Sequence, residues 1–502
     1  MASARPASPL DHAAPRARIG RRGAVTLGLV GWLFFVEIVS GLLQGYYIPL
    51  ISPLARALNI DDAQFNWFEA AQLLVSSIAL PVLAKLGDMI GHKRILLISS
   101  ALTAAASWWL MFAGDFTSFL VAWALQGFYV VWLPLEVAII FSRARSSGAA
   151  NATTRRATGL LVVALQLGAI IGALMGGRLL DGFGGATMPT LAIPAAAVTI
   201  VFFVVLFGVP RTVPEVGGRT LDLGGFALLG LSLLLITSSL TFLRINGVGA
   251  WWVWAVLAAG VLSFIPFGWF ELRKTDPAID LRVLRRPSMW PIQATAGLFG
   301  ISVLGAQVPL STFVATDPAA GYGFGLSASS VSNLIGAYLL SVIIGAIAFP
   351  FVARRTTPRL TLIGAAVLVG IGYLMFLPFH GSIVNVGVNM LVAGLGTGAL
   401  LAALPSAAAA AAPIGQTGIA AGLTNTTKTI GGTFSSAIFG VALASGAVSA
   451  VSTAGSLAGY YTVWIVCGGT AIVAAALLVV VPKLAFSDAP LGAEAAADVA
   501  KP

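Results

Sequence analysis

Apolar residues along this chain come in long runs, broken by short polar segments at nearly regular intervals. A helix needs about 20 apolar residues to cross hydrocarbon. Runs of that kind fall at approximately 24–48, 66–86, 94–113, 117–142, 157–179, 187–209, 224–243, 251–270, 290–314, 328–352, 360–379, 382–405, 418–445 and 460–481, which makes fourteen spans. Lipid offers no partner to a free backbone N–H or C=O, so an apolar run of this length must close its own hydrogen bonds as a helix. The pattern predicts an all-α integral membrane protein. The longest polar stretches are the N-tail, the 271–288 loop and the tail after Phe486, and none is large enough to bury a core of its own.

Composition agrees with this pattern. The 502 residues are 58% hydrophobic and 9% charged, where a soluble domain carries roughly 25% charge. The net charge of +10 raises the question of a nucleic-acid partner. The basic residues stand singly or in pairs between apolar runs, with no dense stripe, and this excludes that class. They fit membrane topology instead. With both termini cytoplasmic, 24 of the 28 Lys and Arg fall on the cytoplasmic side and only Arg56, Arg178 and Arg244 outside, with Lys428 near the start of span thirteen. That is the positive-inside asymmetry, and a wrong parity of spans would destroy it. The first 23 residues read as a cytoplasmic tail before an uncleaved first helix. The excess of Arg (22) over Lys (6) points to a GC-rich bacterial genome, hence to a bacterial inner membrane.

No G-x-x-x-x-G-K-[ST] loop occurs, so an ion gradient rather than ATP is the expected energy source, with no cofactor. Cys467, the single cysteine, has no partner for an internal disulfide and reads as a small apolar residue in a helix. His12, His92 and His380 lack metal-ligand spacing. No nucleophile, base or metal set clusters, so the chain reads as a non-enzyme.

Two acids lie inside apolar runs, Glu37 in span one and Glu136 in the inner half of span four. An ionised side chain at mid-membrane is unfavourable by at least roughly 2.5–3.5 kcal/mol on insertion scales, and such residues usually face a cavity and have a task. An acid that can gain and lose its charge there suits proton coupling. Helical spacing groups Phe34, Glu37, Gly41 and Gln44 on one stripe and Gln126, Tyr129, Trp132 and Glu136 on another. Carboxyls among amides and aromatics suit a cavity for amphipathic or cationic compounds. An interhelical hydrogen bond is the alternative for each acid. Lys428 either snorkels to the interface or pairs with an acid. Gln72, Gln166, Gln307, Asn333 and Asn389 read as interhelical hydrogen-bonding groups.

Three segments carry a family resemblance. The turn Lys85-Leu86-Gly87-Asp88-Met89-Ile90-Gly91-His92-Lys93-Arg94 resembles the signature loop of the major facilitator superfamily. Read physically, Asp88 caps the next helix, Gly91 permits a tight turn, and Lys93 and Arg94 anchor at headgroups. The resemblance implies a latch whose contacts differ between inward-open and outward-open states. In span five, Gly159, Gly168, Gly172, Gly176 and Gly177 match the spacing of the antiporter motif of drug-exporting members, with Ala173 where that motif has proline. Generic small-residue packing is the alternative. In span four, Leu125-Gln126-Gly127 resembles a motif whose arginine, linked in the family to proton coupling, is Trp123 here. The segments Arg219 to Gly225 and Pro413 to Gly432 also look like the fourteen-helix drug:proton antiporter branch.

What this resemblance implies is a major facilitator fold: an N-tail (1–23), a six-helix bundle (24–210), a linker with two extra transmembrane helices (211–288), a second six-helix bundle (289–482) and a C-tail (483–502). The function implied is export of small amphipathic compounds in exchange for protons, by a monomer whose partners are substrate, protons and membrane lipid. Proton-coupled uptake of a nutrient and a non-transporting sensor remain as alternatives.

Overall fold

The computed structural model describes residues 27–480 apart from 145–149, 213–220, 248, 275, 276, 278, 280, 412–416 and 446–454. The two tails, Arg219, Thr220 and Pro413 lie outside the described residues. Among the described residues the regular structure is entirely helical. In order, the helices are α1 (Leu27–Tyr46), α2 (Ile51–Ala57), α3 (Phe65–Ile90), α4 (His92–Phe112), α5 (Phe116–Gln126), α6 (Trp132–Ala144), α7 (Ala150–Gly182), α8 (Thr187–Gly208), α9 (Leu223–Asn246) and α10 (Trp251–Leu262). They continue as α11 (Phe264–Arg273), α12 (Leu281–Leu284), α13 (Trp290–Val303), α14 (Gln307–Ala315), α15 (Ala328–Arg355), α16 (Pro358–Leu374), α17 (Ile383–Ala411), α18 (Thr417–Ala444) and α19 (Leu457–Val480).

Among the described residues, twelve helical stretches are long and apolar enough to cross a membrane. The expected count of fourteen is not reached on that measure. The helix at predicted span eleven, α16, has only 17 residues. Beyond Leu374 it loosens into turns over residues 375–378, as the restriction on residues preceding proline favours. The helix at span thirteen, α18, is 28 residues long, but its apolar character is diluted by Thr424, Asn425, Thr426, Thr427, Lys428 and Thr429. Predicted span four is also not one α-helix. Between α5 and α6, Gly127–Val131 tightens into a 3₁₀ turn. The turn packs closely on α3, where the Ser76 hydroxyl lies 3.0 Å from the Gly127 carbonyl and 2.8 Å from that of Gln72. A Cβ at 127 would stand only 2.6 Å from the Gln72 carbonyl oxygen.

Two helix pairs show how the chain packs without a hydrophobic driving force between lipid-solvated helices. A Cβ on Gly41 of α1 would lie 1.8 Å from the Leu165 carbonyl of α7, and one on Gly168 would lie 1.9 Å from the Ile38 carbonyl. In the C-terminal part, a Cβ on Gly300 of α13 would lie 2.0 Å from the Lys428 carbonyl of α18, and one on Gly431 would lie 2.1 Å from the Gly297 carbonyl. Small residues let the backbones touch, so dispersion and weak C–H···O contacts replace side-chain interdigitation.

The N-terminal and C-terminal helices meet at the end opposite the 85–94 turn. There Arg178 donates from Nη2 to Asn333 Oδ1 at 2.6 Å, and Gly177 donates its N–H to Ser332 Oγ at 3.0 Å. Asp181 accepts from the Ser329 hydroxyl and backbone N–H. Ser311 donates to the Ile48 carbonyl at 2.6 Å. Nearer the middle, Ser77 of α3 donates to Thr429 Oγ1 of α18 at 3.1 Å.

Candidate functional site

The two predicted acids come together. Glu37 on α1 and Glu136 on α6 are both fully buried, and their carboxyls face each other within hydrogen-bonding reach. A carboxylate only accepts, so as ions the two have no donor between them, and all four oxygens are without a hydrogen-bond partner. Among the described residues no Lys or Arg pairs with either acid. Two like charges at contact in low dielectric repel strongly, so the arrangement suits a pair of carboxyls that shares a proton.

The local fold explains the pairing. Gly41 and Gly45 press α1 onto α7, and Glu37 stands one turn before Gly41 on the adjoining face. On span four the 3₁₀ turn has three residues per turn, so Gln126, Tyr129 and Trp132 stack at spacing three, and α6 then carries the line to Glu136 at spacing four.

The neighbours predicted for a cavity are placed variously. Phe34 is half-buried against the main core. Trp132 is fully buried, edge-on to Tyr129 at 6.3 Å, with its indole N–H unpartnered. Gln126 donates from Nε2 to the Tyr47 hydroxyl at 2.9 Å and to Ser107 Oγ at 3.1 Å, so its amide is held by the residue that follows α1 and by α4. Gln44 is exposed, unlike the buried Glu37 two turns before it. Trp123 packs against Tyr47 (4.9 Å), Phe65 (5.1 Å) and Phe119 (5.6 Å), so aromatic packing fills the position of the motif arginine.

The 85–94 turn corrects one expectation. Asp88 does not cap the following helix. It lies inside α3, and its Oδ1 is 3.0 Å from His92 Nε2. The cap position of α4 belongs to Gly91, which has no side chain to offer and adopts φ +102°. Lys93 reaches the last turn of α8, donating from Nζ to the Leu206 carbonyl at 2.8 Å, while its backbone N–H donates to Thr212 Oγ1 at 3.1 Å. A cation at the carbonyl end of a helix is favourably placed. Arg94 donates to the Ile90 carbonyl at 3.5 Å.

The span-five glycines divide into three groups. Gly168, Gly172 and Gly176 all face α1, where added Cβ atoms would meet backbone of Ile38, Leu42 and Tyr46. Gly177 faces Ala328 and Ser332 of α15, so it belongs to the contact between the halves. Gly159 has open space around it. Ala173 is fully buried, and α7 runs through it without interruption.

Sequence reasoning missed Glu69, a buried acid on α3 close to the Tyr129 phenol. The signal was an acid near the start of an apolar run. With the span set at 66–86 it stands one turn from the predicted start, whereas the helical stretch begins at Asp62.

Comparison with known proteins adds to this geometry. The family profile of the Major Facilitator Superfamily matches residues 33–436. An uncharacterized MFS-type transporter of Bacillus subtilis, YfiU, is 23% identical over 404 residues, covering 74% of this chain and 73% of that protein. A probable actinorhodin transporter of Streptomyces coelicolor is 26% identical over 358 residues, 69% of this chain and 59% of its own length. Among solved structures, a peptide transporter of the POT type in complex with sulfate superposes with a TM-score of 0.64 at 17% identity, over 91% of this chain and 95% of that one. That likeness concerns the fold alone.

Proposed function

The chain belongs to the major facilitator superfamily, and from that membership we propose that it exports small amphipathic compounds across a bacterial inner membrane in exchange for protons. The observation that carries this reading is the Glu37–Glu136 carboxyl pair, buried without a basic partner among the described residues. Such a pair holds a proton while shut from water. It releases that proton when the helices part and water enters. A cationic or amphipathic compound then competes with the proton for the same two carboxyls, which is the elementary step of antiport.

Alternating access fits the contact pattern. The halves are joined by Arg178–Asn333, Asp181–Ser329 and Gly177–Ser332 at one end, and these are polar contacts that can break without exposing a large apolar surface. With the 85–94 turn on the cytoplasmic side, that closed end faces outward. The distant likeness to a probable actinorhodin transporter supports transport of a compound of that kind.

The test is transport in proteoliposomes under an imposed pH gradient, with a panel of amphipathic dyes and antibiotics. Wild type should move at least one compound against its gradient, and Glu37→Gln and Glu136→Gln should lose that drive. The reading fails if both variants keep wild-type gradient-driven transport. Accumulation of substrate by cells expressing the protein, rather than its loss, would reverse the direction in favour of uptake.

A further inference from the structure

A cleft of about 550 Å³ opens where the helices between the two halves meet the C-terminal half. Its walls are apolar: Leu272 of α11, Leu281 and Leu284 of α12, and Trp290 and Ala294 of α13. At the floor, the Thr427 hydroxyl of α18 lies 3.3 Å from Gln293 Oε1 and 2.9 Å from the Leu423 carbonyl, and Gln293 donates from Nε2 to Met289 Sδ at 3.5 Å, so both polar side chains have partners within the protein. Arg285 lines the cleft and is exposed, with Arg286 next to it also exposed. Trp290 is 43% exposed, which suits an indole at the boundary of hydrocarbon and headgroups. The wall is held in shape by Arg282, which donates from Nη2 to the carbonyls of Leu272 (2.7 Å) and Lys274 (3.1 Å) and so ties α12 back to α11.

We propose that this cleft binds an anionic phospholipid, with an acyl chain along the apolar walls and the phosphate at Arg285. The volume lies within the range of small-molecule sites, about 300–1,000 Å³. An apolar cleft open to a bilayer is filled by lipid rather than water. The sign of charge selects the headgroup. Residues 273–286 carry five basic side chains, and basic pockets between helices on the positive side of a membrane protein attract anionic lipid. The same charge argues against a cationic export substrate, which would meet Arg285 with its own sign. The occupied cleft would then join α11 and α12 to α13, coupling the intervening helices to the C-terminal half.

The test uses the full chain in detergent and in nanodiscs, with native mass spectrometry of bound lipid. Phosphatidylglycerol and phosphatidylcholine with identical acyl chains are the probes. Wild type should retain phosphatidylglycerol in preference to phosphatidylcholine by about fivefold, the effect of one basic side chain near an anionic surface. Arg285→Gln, at an exposed position that leaves the core untouched, should bring the two lipids to parity, and Arg285→Lys should restore the preference. Ala294→Phe, which fills the cleft, should lower adducts of both. Thermal melting confirms that each variant is folded. Three results would overturn the proposal: equal retention of both lipids by wild type, an unchanged phosphatidylglycerol preference in Arg285→Gln, or glycerol phosphate binding as tightly as the intact lipid.

Discussion

The pair α1 with α7 and the pair α13 with α18 are built on one plan. In the first, Gly41 meets the carbonyl of Leu165 and Gly168, three residues on, meets Ile38, three residues back. In the second, Gly300 meets Lys428, and Gly431 meets Gly297, with the same offsets. Superposing these contacts sets Glu37 level with Ala296 and Leu165 level with Lys428. The backbones are interchangeable and the charges are opposed. Every acid within a described span lies in the N-terminal half or on the intervening helices, and between residues 289 and 482 the sole acid is Asp317, in a loop before α15. Packing is thus duplicated while chemistry is not: the fold repeats a scaffold on which one half carries the carboxyls and the other a lone lysine.

The shared scaffold predicts the largest effects. Gly41→Val and Gly300→Val should each separate a helix pair whose backbones leave no room for a Cβ, destabilising by upwards of about 3 kcal/mol. Both should show as loss of monodisperse protein in fluorescence-detected size exclusion. If one variant survives while the other does not, the two interlocks are not equivalent and the superposition is wrong.

The opposed charges predict the next largest. Glu37→Gln keeps shape and removes a titrating group, so yield and melting temperature should hold while gradient-driven transport falls at least about tenfold, the weight of one essential proton-transfer group at the low end. Ala296→Gln, at the matching level of the C-terminal half, should leave the drive intact in any variant that folds. Equal losses from both would place the coupling in the helix packing rather than in the carboxyl.

Lys428 sharpens the same contrast. Its pairing with an acid is absent among the described residues. Lys428→Leu installs the residue that α7 carries at the equivalent level. It relieves a charge whose placement in a span is unfavourable by up to about 3 kcal/mol before snorkelling reduces that figure. The expected result is a melting temperature raised by a few degrees with transport of cationic dyes retained. Transport lost in a more stable protein would make Lys428 a ligand for substrate.

How much of this could be read beforehand depends on what each residue's neighbours are. Twelve of the spans were legible because lipid imposes a length and a hydropathy on a crossing helix, whatever it packs against, whereas among the described residues α16 falls short in length and α18 in hydropathy. Glu37 and Glu136 were legible singly, as acids in apolar runs. That they touch was not, because it depends on where Gly41 locks α1 onto α7 and on the 3₁₀ turn after Gln126, which packs against Ser76 of a different helix. Asp88 was misread as a cap because its bond to His92 keeps α3 helical two residues past it, and the break falls instead at Gly91. Gln126 looked like a ligand group, yet its amide is held by Tyr47 and Ser107, two residues that nothing near it in sequence announces. The cleft beside Arg285 is formed by three helices distant in sequence from α18, and no local pattern marks it.

The smallest predicted effect separates packing from function within the span-five glycines. Gly159 and Gly168 belong to the same motif and the same helix, but a Cβ at 168 would strike the Ile38 carbonyl whereas one at 159 would meet nothing within 4 Å. A glycine in open helical surroundings is less favourable than alanine by about 0.5–1 kcal/mol, through backbone entropy alone. Gly159→Ala should therefore leave the protein as stable or slightly more so, by differential scanning fluorimetry. In the conformation described here it should not disturb any contact, so transport should stay within twofold of wild type, a margin of about 0.4 kcal/mol in the barrier. If transport falls further while melting is unchanged, α7 must meet another helix at 159 in a second state. The motif would then mark the surface along which the halves slide, and the match between the two helix pairs would hold for only one of the states the transporter visits.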